Sequence, residues 1–461
     1  MNNFIAKHLL YYPSQYFRGQ KVWKFIPEVW ADERRPEEEI QRLRDEKIRK
    51  LVGYAYENIP YYRKMMLDKG IRPETINGYD DLTMMPILTK EAILKNSQSL
   101  IKLHSSKRMY ERKTGGSTGM ILHFFKEADA LAKNDAIMYR CYAWYGIDIG
   151  DRQARFWGVP VKFKTRVKES IKDVLLNRIR ISAFDISEST CMGEYKRMRR
   201  FRPTHFYGYT TAIYGFCRMA KELGLNLKEL RMKAVICTAE KMYPHHRELL
   251  SEMFDCPIVD EYGSSENGII AFQCRQGNMH LMSDHLAIEF VDEQGQRVKP
   301  GELGRIVITD LSSFEMPQIR YDIGDIGRLS DKKCSCGITL PLMDIVEGRK
   351  EDFIRTKEGK LVHAAYLCYT LKEDTIHEFK MIQKDIDRFH VQLVRSPLFN
   401  SESEKKLERN LRSALGNDAQ ISFEYLDRIS REKSGKLRYF ISELSEPTDM
   451  TSEEKLVSGR R

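Results

Sequence analysis

The chain has 461 residues, of which 42% are hydrophobic and 31% charged, and carries a net charge of +10. That length suits two or three domains with a large core, and the composition is that of a soluble globular protein. No run of about 18 apolar residues marks a transmembrane helix, and Met1 to Lys7 lacks the pattern of a secretory signal. Nine cysteines, odd in number and sparse, argue against a disulfide framework and for a cytoplasmic location.

In chain order, Glu37 to Asn58 reads as a helix, with Ile40, Leu43, Ile48, Leu51, Val52 and Ala55 near helical spacing. Arg112 to Gly119 reads as a turn between strands, and Ala128 to Tyr145 as a helix. Ala154 to Val159 and Thr204 to Tyr209 are strand candidates, the second followed by a helix from Thr210 to Leu223. Ala234-Val235-Ile236-Cys237-Thr238 is the unbroken apolar run of a buried parallel strand. A helix from Tyr243 to Phe254 and a strand from Pro257 to Glu261 follow. The alternation predicts an α/β sheet that binds ligands at its strand ends.

From His285 to Ile308 alternating strands separated by turns predict a β-rich subdomain, placed at about 280–347 within an N-terminal α/β core of 1–347. A small α+β domain is expected at 348–445, and 446–461 reads as a disordered tail. Between these elements, residues 162–202 form the densest basic patch, culminating in Lys196-Arg197-Met198-Arg199-Arg200-Phe201-Arg202. A solvated basic surface is the favoured reading, and no nucleic-acid motif accompanies it. Within the patch, Val161, Phe163, Val167, Ile171, Val174 and Leu175 share one helical face flanked by Lys162, Lys164, Arg166, Lys168 and Lys172. A helix covering the core is favoured here over one lying on an anionic membrane, at the inner face of the membrane, although both fit.

Several short segments carry candidate chemistry. Thr114-Gly115-Gly116-Ser117-Thr118-Gly119 groups three glycines with three hydroxyl residues. Glycines let a backbone approach a ligand closely, and successive N–H groups can cradle phosphate oxygens. The spacing is not that of a Walker A loop, and an ordinary glycine-rich turn explains this stretch equally well when it is taken alone. Downstream lie Tyr262-Gly263-Ser264-Ser265-Glu266, Tyr321-Asp322-Ile323-Gly324-Asp325, Gly348-Arg349-Lys350-Glu351-Asp352 and Ser434-Gly435-Lys436. Separately, Cys334-Ser335-Cys336 presents two thiols from a tight turn, and Cys274 and His280 flank a turn glycine. Such sulfur and imidazole donors suit one structural Zn²⁺. Unrelated thiols are the competing reading, as they are for Cys141, Cys191, Cys217, Cys237, Cys256 and Cys368, which lack partner spacing. His245 and His246 open a helix and read as surface residues.

In order and spacing, the five segments around 114–119, 262–266, 321–325, 348–352 and 434–436 resemble the core motifs of the adenylate-forming (ANL) superfamily. The likeness is to its phenylacetate–CoA ligase-like branch, in particular the CapK-like subgroup found with capsule biosynthesis genes. The T-G-G-S-T-G loop, the run Leu51 to Arg63 and the stretch Asp81 to Lys90 carry it, and it spans about 40–445. The resemblance implies a large α/β domain followed by a small mobile C-terminal domain. It also implies ATP-dependent activation of a small-molecule or glycan carboxylate as an acyl-AMP, with transfer to CoA or to an amine or hydroxyl. In that family pattern Thr114 to Gly119 holds the triphosphate, Tyr262 lies beside adenine and Glu266 binds Mg²⁺. Asp325 takes the ribose hydroxyls, Arg349 contacts ribose or phosphate, and Lys436 bridges the carboxylate and the α-phosphate. The hinge position falls at Glu351, where the family has aspartate or lysine, and Thr356 to Val362 replaces a glycine-rich continuation common in CoA ligases. That departure puts transfer to CoA in doubt while leaving adenylation intact. Some members of the branch bind zinc at positions matching Cys274, His280, Cys334 and Cys336. The alternatives are a nucleotidyl transferase that leaves AMP on its substrate, and a non-catalytic scaffold of capsule assembly.

Overall fold

A computed structural model describes residues 1–113, 122–158, 163–183, 187–349, 353–357, 361–363, 375–430 and 439–444. They form two compact units, one within 1–349 and the other within 353–444. Thr114 to Gly119, Lys436, the hinge position Glu351 and the tail fall outside the described residues, as does the side chain of Arg349.

The first unit is built on an eleven-stranded sheet. Its parallel half comprises β3 (Gln153–Trp157), β4 (Arg178–Ser182), β5 (His205–Tyr209), β6 (Ala234–Thr238) and β7 (Ile258–Ser264), in the order β4-β3-β5-β6-β7. Helices Glu188–Phe201, Thr210–Glu222 and Pro244–Met253 make the crossovers. They bury one face of the sheet, where Phe156, Phe206, Val235 and Cys237 meet Met198, Phe216 and Leu250. Helix Ala128–Ala143 covers the other face, packing Ala132, Ala136, Ile137 and Cys141 on Ala234, Ile236 and Val259. Coverage on both faces is why β6 is buried at every position rather than at every second one.

Beyond β7 the sheet turns antiparallel through β8 (Gly268–Gln273), β9 (Met279–Leu281), β13 (Leu342–Arg349), β12 (Tyr321–Leu329), β11 (Leu303–Asp310) and β10 (Leu286–Val291). The strands expected as a β-rich subdomain are thus hydrogen-bonded into the same sheet. A short hairpin, β1 (Met109–Lys113) with β2 (His123–Glu127), stands apart from it. The long helix Glu37–Asn58 follows Pro36, opens on Glu37, Glu38 and Glu39, and stops before Pro60, which begins the next helix. Its Ile48, Leu51, Val52 and Ala55 pack with Leu88, Leu311 and Tyr321, so it supports the start of β12.

Two sequence expectations are corrected. Helix Phe163–Leu175 does not lay its apolar stripe on the core: Val167, Ile171 and Val174 are exposed. Its acids turn inward instead, with Asp173 2.5 Å from Arg178 and Glu169 2.5 Å from Arg180, both arginines of β4. His246 is buried rather than superficial. Its Nδ1 accepts from the Tyr243 N–H at 3.3 Å, capping the helix it opens.

The second unit contains the sheet β18-β17-β16-β19, formed by Ile376–Asp385 (β16), Arg388–Arg395 (β17), Gln420–Tyr425 (β18) and Phe440–Ser442 (β19). The hairpin β16–β17 is antiparallel and each outer strand joins it in parallel. Helix Ser401–Leu415 is capped by Asn400, whose side chain accepts from the N–H groups of Glu402 and Ser403. Residues 353–355 (β14) and 361–363 (β15) form a separate two-stranded pair.

Candidate active site and cysteine–histidine cluster

The end of β7 carries Tyr262, Gly263 and Ser264, and the turn into β8 carries Ser265 and Glu266. The start of β12 carries Tyr321 and Asp325. Two side-chain hydrogen bonds tie these segments together. The Tyr262 hydroxyl donates to Asp325 Oδ2 at 2.7 Å, and the Tyr321 hydroxyl donates to Glu266 Oε1 at 3.2 Å. Each motif therefore supplies one tyrosine to hold a carboxylate of the other. Both carboxylates are half-buried.

A break in the β-ladder aims Asp325. Asp322 pairs with Val307 and Ile326 with Arg305, so Ile323, Gly324 and Asp325 stand against the single residue Ile306. Gly324 has φ +82°, which a side chain would resist, and its N–H bonds Asp322 Oδ1 at 2.9 Å. Arg305 holds the other oxygen of Asp322 at 2.6 Å. Such bulges re-aim side chains beside sites. On the far side of β12, Asp325 lies opposite Arg349 in backbone register, which brings the third motif to the same place. Ser264 Oγ accepts from the Asn267 N–H at 3.0 Å, and the buried Asn267 amide reaches Gln318. The hairpin that carries 114–119 is fixed at its base. Glu127 accepts from Phe314 N–H at 2.7 Å, and buried Lys126 pairs with buried Asp310.

Sequence reasoning missed residues that support this arrangement. Arg320, buried beside Tyr321, binds Glu289 at 3.0 Å and the carbonyls of Met85 and Gly295 at 2.7 Å each. Leu88 pairs with the backbone on either side of Tyr321. Glu261, immediately before Tyr262, is buried and accepts from the Tyr207 hydroxyl at 3.1 Å. Burial pushes its carboxyl up to about 7, against the opposing pull of hydrogen bonds from Thr238 and Tyr207. Tyr207 and Tyr209 at the end of β5 and Trp157 at the end of β3 stack nearby, with Trp157 and Tyr209 at 4.1 Å. The only sequence signal for Glu261 was its adjacency to the Y-G-x-x-E motif.

At the opposite end of β8 and β12, the ligand atoms of Cys274, His280, Cys334 and Cys336 all lie within 4.8 Å of one another. Cys274 Sγ is 3.6 Å from Cys334 Sγ, and Cys336 Sγ is 3.3 Å from His280 Nε2. A tetrahedral zinc with bonds of about 2.0–2.3 Å separates its ligands by about 3.3–3.8 Å. The Nδ1–H of His280 donates to the Leu340 carbonyl at 2.8 Å, which leaves Nε2 facing the thiols. Burial holds the imidazole neutral by lowering its pKa. At Cys334 burial works to raise the thiol, but hydrogen bonds from Asn278 and Cys336 bring it below its ordinary value. Both shifts run toward the forms that bind metal, whereas burial pushes the Cys336 thiol the other way, up to about 12.

Residues 354–443 match the family described as the CapK C-terminal domain. Protein CapK of Staphylococcus aureus is 24% identical over 88% of this chain and 92% of its own length. The chain is similar to CapK over most of its length. The phenylacetate-coenzyme A ligase of Thermus thermophilus is 25% identical to the CapK-like chain over 69% of it and 72% of the ligase. Its fold is also that of 2-hydroxyisobutyryl-CoA ligase, solved in the postadenylation state in complex with 2-HIB-AMP. That structure matches with a TM-score of 0.75 and 18% identity, over 89% of this chain and 91% of the other.

Proposed function

We propose that the protein activates a carboxylate with ATP. A carboxylate oxygen attacks the α-phosphorus, the bond to the β-phosphate breaks, and pyrophosphate leaves an acyl-AMP. A thiol, amine or hydroxyl then attacks the acyl carbon and AMP departs. The observation that carries this reading is the pair of cross-motif bonds, Tyr262 to Asp325 and Tyr321 to Glu266. In the proposed assignment Asp325 accepts the ribose hydroxyls and Tyr262 lines the adenine. Gly263, Ser264 and Ser265 shape the turn beneath the phosphates, and Arg349 reaches ribose or phosphate. Thr114, Gly115, Gly116, Ser117, Thr118 and Gly119 supply the phosphate cradle. Glu266 would hold Mg²⁺, a hard cation that draws charge from the leaving pyrophosphate. Lys436 bridges the carboxylate and the α-phosphate.

Coenzyme A is the acceptor suggested by the relatives named as phenylacetate-coenzyme A ligases, which tempers the doubt raised by Thr356 to Val362. A place in surface polysaccharide assembly is proposed from the likeness to CapK. Structural Zn²⁺ at the cysteine–histidine cluster is proposed from its donor set and spacing. Four protein ligands leave no position for a reacting water, and the cluster lies at the far end of the strands from the motifs.

The decisive test is pyrophosphate exchange across a panel of carboxylic acids. A substrate acid should drive exchange, and Lys436→Ala should lower it on the order of 10²–10³-fold while ATP still binds. Exchange by the variant at the wild-type rate would sink the assignment. AMP retained on the acid with no acceptor able to release it would convert the reading to nucleotidyl transfer.

A further inference from the structure

The N-terminal helices place an unusual surface beside the misoriented helix 163–175. Residues 1–27 contain Lys7, Arg18, Lys21 and Lys24 but no aspartate or glutamate, the first acid being Glu28. Residues 3–17 are helical throughout. This run buries Ala6, Tyr11 and Gln15 and turns Phe4, Leu9, Tyr16 and Phe17 to solvent, with Phe17 77% exposed. Between its second half and Trp23 lies a cleft of about 450 Å³, walled by His8, Tyr12, Pro13, Tyr16, Phe17 and Trp23.

Helix Phe163–Leu175 touches this run along Ala6–Tyr11. It exposes Val167, Ile171 and Val174, at helical spacing, on an element that adjoins the first run. The acids of that helix are drawn to the following strand, Glu169 and Asp173 pairing with Arg178 and Arg180, and of the helix's own exposed cations Glu169 reaches Lys172, at 3.9 Å. Lys168, Lys172 and Lys24 are exposed, and Lys21 lies over the Tyr16 ring at 5.7 Å. Exposed apolar side chains gathered on adjoining helices mark an interaction site. Aromatic and aliphatic side chains backed by lysines are the arrangement of a helix lying in a lipid headgroup layer.

We infer that the helices of residues 3–17 and 163–175 together form a docking face for an anionic lipid bilayer. Charge selects that occupant. A second copy meeting this face across a two-fold axis would set cations against the same cations. Lys7 is paired with Asp148 and Lys172 with Glu169, but a neutral bilayer would take the apolar side chains and leave Lys21, Lys24 and Lys168 unanswered, whereas anionic headgroups neutralise them. Among the described residues no helix is long and apolar enough to cross a membrane, so the contact is peripheral. This inference is independent of the proposed chemistry, since none of these residues belongs to the motif cluster.

The test is co-sedimentation of the full chain with vesicles of phosphatidylcholine alone and of phosphatidylcholine mixed with phosphatidylglycerol. Partition into the anionic vesicles only is expected, falling at least tenfold between low and high salt as screening shortens the reach of the lysines. Leu9→Glu, Phe17→Glu and Ile171→Glu should each lower partition about tenfold or more, with unchanged melting temperature because these side chains are exposed. Failure to partition, or partition that all three substitutions leave unchanged, overturns the inference. Sedimentation showing a dimer that the same substitutions disperse also overturns it, assigning the face to a second copy.

Discussion

The two halves of the eleven-stranded sheet are stabilised by different means. The parallel half, β4-β3-β5-β6-β7, is covered on both faces, and its strands hold together by apolar burial between helices that are close in sequence. The antiparallel half has an apolar cluster of its own, including Ile270, Leu286, Ile288 and Ile308, and adds polar features: the buried pair Arg320–Glu289, the bulge at Ile323–Asp325 and the cysteine–histidine cluster. The candidate active site forms at their seam, where the end of β7 meets the start of β12. Apolar burial tolerates small shape changes, whereas a buried charge tolerates no loss of its partner. Mutational damage should therefore be uneven across the sheet.

The sharpest contrast pairs Arg320 with Ile236. Arg320→Met leaves Glu289, whose side chain is fully buried, without its cation and frees the Met85 and Gly295 carbonyls. A loss of about 3–5 kcal/mol is expected. Ile236→Val, at an equally buried position of β6, should cost about 0.5–1.5 kcal/mol. Denaturant melts of the two variants decide it, and equal losses would break the comparison. Restoring most of the stability by adding Glu289→Met would show that the unpaired carboxylate is the cause.

Within the antiparallel half, the metal cluster should rank next. Cys334→Ser removes one of four proposed ligands. Losing a mere supporting contact typically weakens a metal site 10–100-fold, so at least about 3 kcal/mol of metal-linked stability is expected to go. Elemental analysis of protein purified without chelator should give close to one zinc per wild-type chain. Protein that holds no zinc and melts normally would remove the cluster from the account. Activity per folded molecule should change little.

These halves were also unequally legible. Helix Glu37–Asn58 and strand Ala234–Thr238 could be read from the chain because periodicity and proline punctuation act locally. The four residues Cys274, His280, Cys334 and Cys336 were legible as a donor set, since their side-chain types permit few other reasons to meet. The bulge that aims Asp325 was not, because it depends on the register between β11 and β12. Nor was Arg320, whose partner Glu289 lies 31 residues away. Helix Phe163–Leu175 shows the limit most clearly. Its apolar period says which residues share a face, but Arg178 and Arg180 of the following strand decide which way that face turns.

At the seam itself, Glu261 should impose a pH dependence on stability. Its carboxyl is pushed up to about 7 in the folded protein, foremost by burial, and returns to the ordinary range near 4 on unfolding. Between those values the folded state holds a proton that the unfolded state has lost. The stabilising contribution is thus complete in acid and is lost as pH rises through about 7. Glu261→Gln keeps the bond from Tyr207 without titrating. Relative to wild type it should gain on the order of 2–3 kcal/mol between pH 4 and pH 8. A constant difference between the two across that range would show that Glu261 ionises as freely as a surface acid.

The smallest effect separates the two tyrosines that join the motifs. Tyr262→Phe removes the donor to Asp325 but keeps the ring, and Tyr321→Phe does the same at Glu266. Each bond is partly exposed to solvent, so its net worth is about 1 kcal/mol, roughly five- to tenfold in a binding constant. If Asp325 receives ribose, the first substitution should raise the KM for ATP by that factor and leave the Mg²⁺ requirement alone. If Glu266 holds the cation, the second should raise the Mg²⁺ concentration needed for half-maximal rate and leave the KM for ATP at saturating Mg²⁺ nearly unchanged. The same response to both substitutions would mean that the four side chains act as one structural knot and that the carboxylates do not have separate ligands. The opposite split, with ATP affinity following Tyr321 and metal dependence following Tyr262, would exchange the roles proposed for Asp325 and Glu266.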